Sequence, residues 1–175
     1  MVQSVELLVD EVLDRDVRVE WERLRAAGLP SQARHTGPSN APHVTLGVAE
    51  RLTPEAERAL GFVDYGIGGP IGLGGLLVFP GRTSILSRVV VPSAELIGLH
   101  GAVQSALGDL SAGPCTMAPG RWTPHVTLAR RLDRDQLAAA LALLAERPRE
   151  LAGTIRAARR WDGEARTAWD LAGGS

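Results

Sequence analysis

The pentapeptide Pro42-His43-Val44-Thr45-Leu46 decides the fold, because the same five residues return as Pro124-His125-Val126-Thr127-Leu128. In an extended strand successive side chains alternate between faces, so His43 and Thr45 fall on one side and Val44 and Leu46 on the other. The second copy repeats the arrangement. Each copy offers one imidazole and one hydroxyl to a common front and an apolar back to a core, which Val48 would extend. Pro42 and Pro124 stand at strand starts, where a missing N–H does no harm.

Upstream of the first copy, Val5, Leu7 and Val9 alternate with Ser4, Glu6 and Leu8, which predicts a strand over residues 2–9. Leu13, Val17, Trp21 and Leu24 recur at helical spacing and Gly28 and Pro30 supply stop signals, so residues 11–27 read as an amphipathic helix. A loop rich in Pro, Ser, Gly and Asn then leads into the motif. Downstream, Thr53-Pro54-Glu55 opens a short helix to about Leu60, and Phe62, Val63, Tyr65 and Ile67 suggest a third strand. The glycine-rich residues 66–75 match neither a dinucleotide fingerprint nor a phosphate-binding loop and read as turn and strand.

Leu76–Phe79 and Ser84–Val91 flank Pro80-Gly81-Arg82 as two strands with a tight connection. Ser93 caps a helix striped by Leu96, Leu99, Val103 and Leu107. After the second motif, Asp133 and Gln136 form a capping box for a helix lined by Leu137, Leu141 and Leu144, which Pro148 ends. Leu151–Trp161 and Ala165–Leu171 flank the hairpin signal Asp162-Gly163. Residues 2–69 therefore run strand, helix, motif strand, helix, strand, and residues 84–160 repeat that order. The offset of 82 between His43 and His125 carries Val5 onto Ser87, inside the strand that opens the second unit. The expected fold is α+β, a single bilobal domain over 1–175. Duplicated β-α-β-α-β units form two antiparallel sheets with helices outside and a central cleft, and a C-terminal hairpin strand extends to 171.

With 175 residues and 45% hydrophobic content the chain can bury a core as one domain. A net charge of −1 lacks the basic footprint of proteins that grip long duplexes, so a nucleic-acid substrate should be short or terminal. Every cationic side chain is arginine; with no lysine, a lysyl-adenylate ligase is excluded by residue type. Cys115 is the only cysteine, which removes an internal disulfide and any multi-cysteine zinc site. No leader pattern or membrane-length apolar run is present, so a cytoplasmic monomer with no membrane association is expected.

Two imidazoles across a cleft can divide acid and base work, because histidine titrates near neutrality. A threonine two residues along from each can donate to a non-bridging phosphate oxygen while charge develops. Nothing in the pattern demands a metal or other cofactor. It suits transfer at a phosphodiester, especially a strained cyclic one.

The two motifs, His43-Val44-Thr45-Leu46 and His125-Val126-Thr127-Leu128 in a duplicated unit, resemble those of the 2H phosphoesterase superfamily. Phe79-Pro80 and the run Trp122 to Arg130 look like its bacterial branch, called RNA 2',3'-cyclic phosphodiesterases or 2'-5' RNA ligases. The resemblance implies hydrolysis of a 2',3'-cyclic phosphate to a 2'-phosphate, with His43 and His125 catalytic and Thr45 and Thr127 contacting substrate. In some members it implies reversible ligation without ATP. The substrate would be an RNA terminus or a small cyclic nucleotide, with an RNA end, a cyclic mononucleotide and an ADP-ribose cyclic phosphate all open.

One motif alone is compatible with an inert core histidine; two in matching positions favour catalysis. A metal hydrolase with both histidines as ligands, or a silent phosphate-binding module, are the competing readings. Arg121, Arg130 and Arg131 surround the second motif, where the first half has Ser39, Val48 and Ala49. Simple alternation puts Arg131 on the face of His125, whereas the resemblance favours Arg130, which would need a bulge or strand end to reach it. Trp122 can stack on a base or pack the loop. His100 lies on an apolar helix stripe and reads as a core histidine, and His35 sits in a polar loop. The arginines beside the second motif disfavour protonation of His125, which makes it the expected base and His43 the acid.

Overall fold

Among the described residues, each of the four α-helices opens on the polar side chain that the sequence places before it. In the computed structural model, which describes residues 2–173, Asp10 accepts the backbone N–H of Leu13 and starts α1 (Glu11–Ala26). Thr53 starts α2 (Pro54–Gly61) and Ser93 starts α3 (Ala94–Leu107) in the same way. Asp133 starts α4 (Arg134–Leu144) with Gln136 reaching back to it, the full capping box. The strands are β1 (Gln3–Val9), β2 (His43–Ala49), β3 (Pro70–Phe79), β4 (Ser84–Val90), β5 (His125–Leu132), β6 (Leu151–Asp162) and β7 (Thr167–Ala172).

All seven strands pair antiparallel in the order β2-β1-β6-β3-β4-β5, with β7 on β6. Strand β6 joins the lobes: Leu151 to Thr154 pair with β3, and residues from Ile155 onward pair with β1. One half of the sheet is thus β2-β1-β6-β7 and the other β6-β3-β4-β5. The third strand of each repeat is exchanged, since β3 pairs beside β4 and β6 beside β1. Helices are exchanged too. The first-half helix α1 packs on β5, β6 and α4, and the second-half helix α3 packs on β2 and α2. A single core of apolar side chains, Val5, Leu7, Leu46, Leu86, Val126 and Leu128 among them, runs beneath both motifs.

The third strand lies further along the chain than the run Phe62 to Ile67 suggests. Those residues form a turn in which Tyr65 is buried and donates its hydroxyl to the Leu60 carbonyl, and Phe62 is exposed. Gly66 and Gly68 take positive φ, which a strand cannot continue through. The glycine-rich run itself is the strand. Pro70 and Leu151, which open β3 and β6, keep the repeat spacing to within one residue.

Both motif strands carry a β-bulge at the same place. Against β1, Thr45 faces Glu6 and Gly47 faces Val5, leaving Leu46 as the extra residue. Against β4, Thr127 faces Ser87 and Ala129 faces Leu86, leaving Leu128 extra. An extra residue reverses the alternation that follows it. Hence Val48 is only half-buried and does not extend the apolar back, whereas Ala49 does.

Gly47, just past the first bulge, faces α3. A Cβ there would lie 2.5 Å from the Leu107 Cδ1 and 3.2 Å from the Val103 Cγ1. Gly47→Val should therefore destabilise the protein by about 1–3 kcal/mol through overpacking. Urea denaturation measures this, and an unchanged midpoint would mean that α3 can move aside.

Candidate active site

The strands β2 and β5 adjoin across the cleft, bringing the two motifs together. In each, the backbone carbonyl two residues before the histidine meets the ring Nδ1: Ala41 O lies 2.8 Å from His43 and Thr123 O lies 2.7 Å from His125. A carbonyl only accepts, so Nδ1 carries a proton in both rings and Nε2 is left to work in the cleft. The Phe79 ring at the end of β3 seats the His125 ring, with centroids 4.6 Å apart and planes tilted by 57°.

The threonine carbonyls beside the two bulges each accept from an indole. Trp122 Nε1 donates to the Thr45 carbonyl at 3.2 Å, and Trp21 Nε1 donates to the Thr127 carbonyl at 3.1 Å. Each indole comes from the opposite half of the sequence. Gln104 of α3 donates to the Leu46 carbonyl at 2.8 Å and is itself held by Ser111. Both Thr backbones are thereby fixed, and their side chains with them. Trp122 also stacks on His100 at 4.2 Å and 7°, while the His100 Nε2 meets the Met117 carbonyl at 3.0 Å. These contacts hold the Trp122 ring beside the first motif. The matched use of Trp21 and Trp122 is not visible in the sequence because they do not occupy equivalent repeat positions.

Arg130 and Arg131 are separated by the same bulge. With alternation reversed after Leu128, Arg130 follows His125 and Thr127 onto the front, and its charge acts on His125. Arg131 is exposed, takes a left-handed φ of 62° and sits at a second irregularity before Leu132. Straight alternation does not survive the bulge, so Arg131 does not share the face of His125 that parity predicts for it. Arg121 is exposed in the loop before the strand.

The two halves differ most one strand in from the motifs. Thr45 neighbours Glu6 of β1, which in turn neighbours Arg159 of β6. Thr127 neighbours Ser87 of β4, which neighbours Leu77 of β3. Glu6 is 3% exposed and its Oε1 lies 3.6 Å from the Nε2 of His43. Burial works against the Glu6 carboxylate, but the charges of His43 and Arg159 and hydrogen bonds from Ser4 and Arg159 prevail and hold its carboxyl below the ordinary range. His125 moves the other way. Burial of the ring chiefly lowers its proton affinity, the hydrogen bond to Thr123 opposes this, and the charges of Arg130 and His43 add to the lowering. Desolvation is the larger cause, and of the three arginines around the motif Arg130 is the one that contributes.

Among the described residues no three His, Cys, Asp or Glu side chains gather as a metal-ion cage, and no helix is long and apolar enough to cross a membrane.

Several solved structures share this fold. TT0787 of Thermus thermophilus matches with a TM-score of 0.62 at 17% identity, covering 98% of this chain and 96% of that one. Kluyveromyces marxianus Usb1 matches at 0.55 and 14%, covering 97% of each chain. Apo LigT of E. coli matches at 0.53 and 15%, covering 98% and 94%. No curated protein sequence matches the chain. At such identities the likeness establishes the fold; membership rests on sequence. The family model of the 2'-5' RNA ligase superfamily matches residues 13–166, nearly the whole chain and a span that contains His43 and His125, so the protein belongs to that superfamily, the 2H phosphoesterases.

Proposed function

We propose that the protein is a metal-independent phosphodiesterase that opens a 2',3'-cyclic phosphate, on an RNA terminus or a small nucleotide, to a 2'-phosphate. The observation that carries this reading is the pair of imidazoles with Nδ1 pinned alike and Nε2 facing one cleft in unlike electrostatic surroundings. The His125 Nε2 takes a proton from water, whose oxygen forms the new bond to phosphorus. The bond to the ribose 3'-oxygen breaks, and His43 returns a proton from Nε2 to that oxygen. Thr45, Thr127 and Arg130 hold the non-bridging oxygens. With an RNA 5'-hydroxyl in place of water, the same geometry joins ends without ATP. The similar K. marxianus Usb1 has been solved with uridine monophosphate and E. coli LigT with NADP+, which supports a nucleotide in the cleft. The reading also places the protein as a monomer in the reducing cytoplasm.

Incubation with each of the four 2',3'-cyclic mononucleotides and a cyclic-phosphate-ended oligoribonucleotide, in excess chelator, tests it. The expected product is a 2'-phosphate monoester. Binding without turnover would leave a nucleotide-binding module, and activity abolished by chelation would restore the metal reading.

Because His125 holds its proton less tightly than an ordinary histidine, the acidic limb of the rate profile should fall below about pH 6.5. Arg130→Gln removes one positive charge that acts on that ring. It should lower turnover by about tenfold or more through the lost phosphate contact and move the acidic limb upward. Arg131→Gln should change neither. No effect from either variant would return both arginines to the solvated surface, and equal losses would assign both to the phosphate.

A further inference from the structure

The unequal pair Glu6 and Ser87 occupies matching places in the two halves, each directly across from the threonine of its motif. The Ser87 hydroxyl is buried with no hydrogen-bond partner among the described residues, so the second motif has a neutral neighbour there. The first has a carboxylate, and it is fixed from several sides. Ser4 Oγ donates to Glu6 Oε1 at 2.7 Å. Arg159 donates from Nε to Oε2 at 2.8 Å, its Nη2 lies 2.8 Å from the same oxygen as an ion pair, and its Nη1 donates to the Ser39 carbonyl in the loop that enters β2. Oε1 is the oxygen turned toward His43.

We propose, resting on the phosphodiesterase reading above, that Glu6 is a positioning residue that keeps His43 in its protonated form as the leaving-group acid. It thereby fixes the orientation of the substrate, with the departing ribose oxygen over β1 and β2 and the attacking water over β4 and β5. The separation of 3.6 Å between Oε1 and Nε2 is longer than a hydrogen bond, so the carboxylate stabilises the imidazolium without capturing the proton that the leaving oxygen needs. Of the other charges around the site, His125 of β5 interacts with His43, Arg130 of β5 acts on His125, Arg159 of β6 holds Glu6, and Arg18 of α1 binds the Asn40 carbonyl just before the motif. All are cationic or can become so, and Glu6 is the carboxylate set against the Nε2 of His43 among them. Arg159 grips Oε2, the oxygen away from the ring.

A substrate whose leaving atom needs no proton separates this role from a structural one. A 2',3'-cyclic phosphorothiolate, with sulfur replacing the bridging 3'-oxygen, departs as a thiolate. On the oxygen substrate, Glu6→Gln should lose at least about tenfold in kcat and lower the basic limb of its pH profile. On the sulfur substrate it should approach the parent, as His43→Ala also should, whereas His125→Ala should be impaired on both. Equal loss by Glu6→Gln on both substrates overturns the proposal. If the parent turns over neither substrate, it is the phosphodiesterase reading that fails. Circular dichroism checks folding, and Glu6→Gln/Arg159→Gln, which also removes the orphaned cation, replaces the single variant if that unfolds. The parent protein gives an independent answer through 15N NMR at its rate optimum. His43 should be doubly protonated and His125 should carry a proton on Nδ1 alone, and the reverse pattern overturns the assignment.

Discussion

His43→Ala and His125→Ala should each lower turnover of a 2',3'-cyclic phosphate by about 10² to 10⁴, the usual worth of a positioned general acid or base. Neither change should unfold the protein. Both rings sit at the mouth of the cleft and are only half-buried, and their strands are anchored by Val44, Leu46, Val126 and Leu128, all essentially inaccessible to solvent. Truncation opens no sealed cavity at either position, so urea stability should stay within about 1 kcal/mol of the parent. The double variant should be little slower than the worse single one, because two groups that move one proton across one phosphate act as a unit. A single variant that keeps near-parental turnover would remove its histidine from proton transfer. Losses that simply multiply would indicate two independent contributions.

The duplication is legible because it is written in local chemistry. Asp10, Thr53, Ser93 and Asp133 each cap the helix that follows them, and these signals need no partner to be read. What stays hidden depends on partners distant in sequence. A bulge is defined against the opposing strand, so nothing in Leu46 or Leu128 alone announces that alternation stops there, and with it goes the side on which Val48, Arg130 and Arg131 fall. The exchange of third strands between halves is equally silent, because β3 and β6 pair across the repeat boundary rather than within it. The start of β3 is obscured because its glycines carry little strand propensity, while the apolar cluster at 62–67, which resembles a strand, closes a turn. Glu6 is visible as a charge on the polar side of a strand, but its meaning comes from His43 and Arg159, brought beside it by two different strands.

The largest expected loss of stability lies behind the second motif, at Arg88→Met. Arg88 and Glu20 are 2% and 0% exposed. All five guanidinium protons of Arg88 find acceptors: Nε and Nη2 reach the Glu20 carboxylate, Nη1 the carbonyls of Gly74 and Arg149, and Nη2 also that of Pro148. One side chain on β4 thus ties together α1, the irregular stretch of β3 and the loop that leads into β6. Methionine would fill much of the space, yet it would strand the Glu20 carboxylate. Arg147 is near, but its Nε is 3.8 Å away and makes no hydrogen bond. Breaking a buried ion pair on one side costs about 3–5 kcal/mol, so the urea midpoint should fall steeply. Adding Glu20→Leu to Arg88→Met should recover a substantial part of that loss, because two apolar groups in place of a pair leave no buried charge. Activity should follow a different course. Glu20 adjoins Trp21, whose indole holds the Thr127 carbonyl, so a repacked pair that restores stability but lets α1 shift should still raise KM. Full recovery of both quantities would show that the ion pair secures the core alone, and failure of Glu20→Leu to recover stability would show that the Arg88 bonds to the three carbonyls, rather than its neutralisation of Glu20, hold α1 and β4 together.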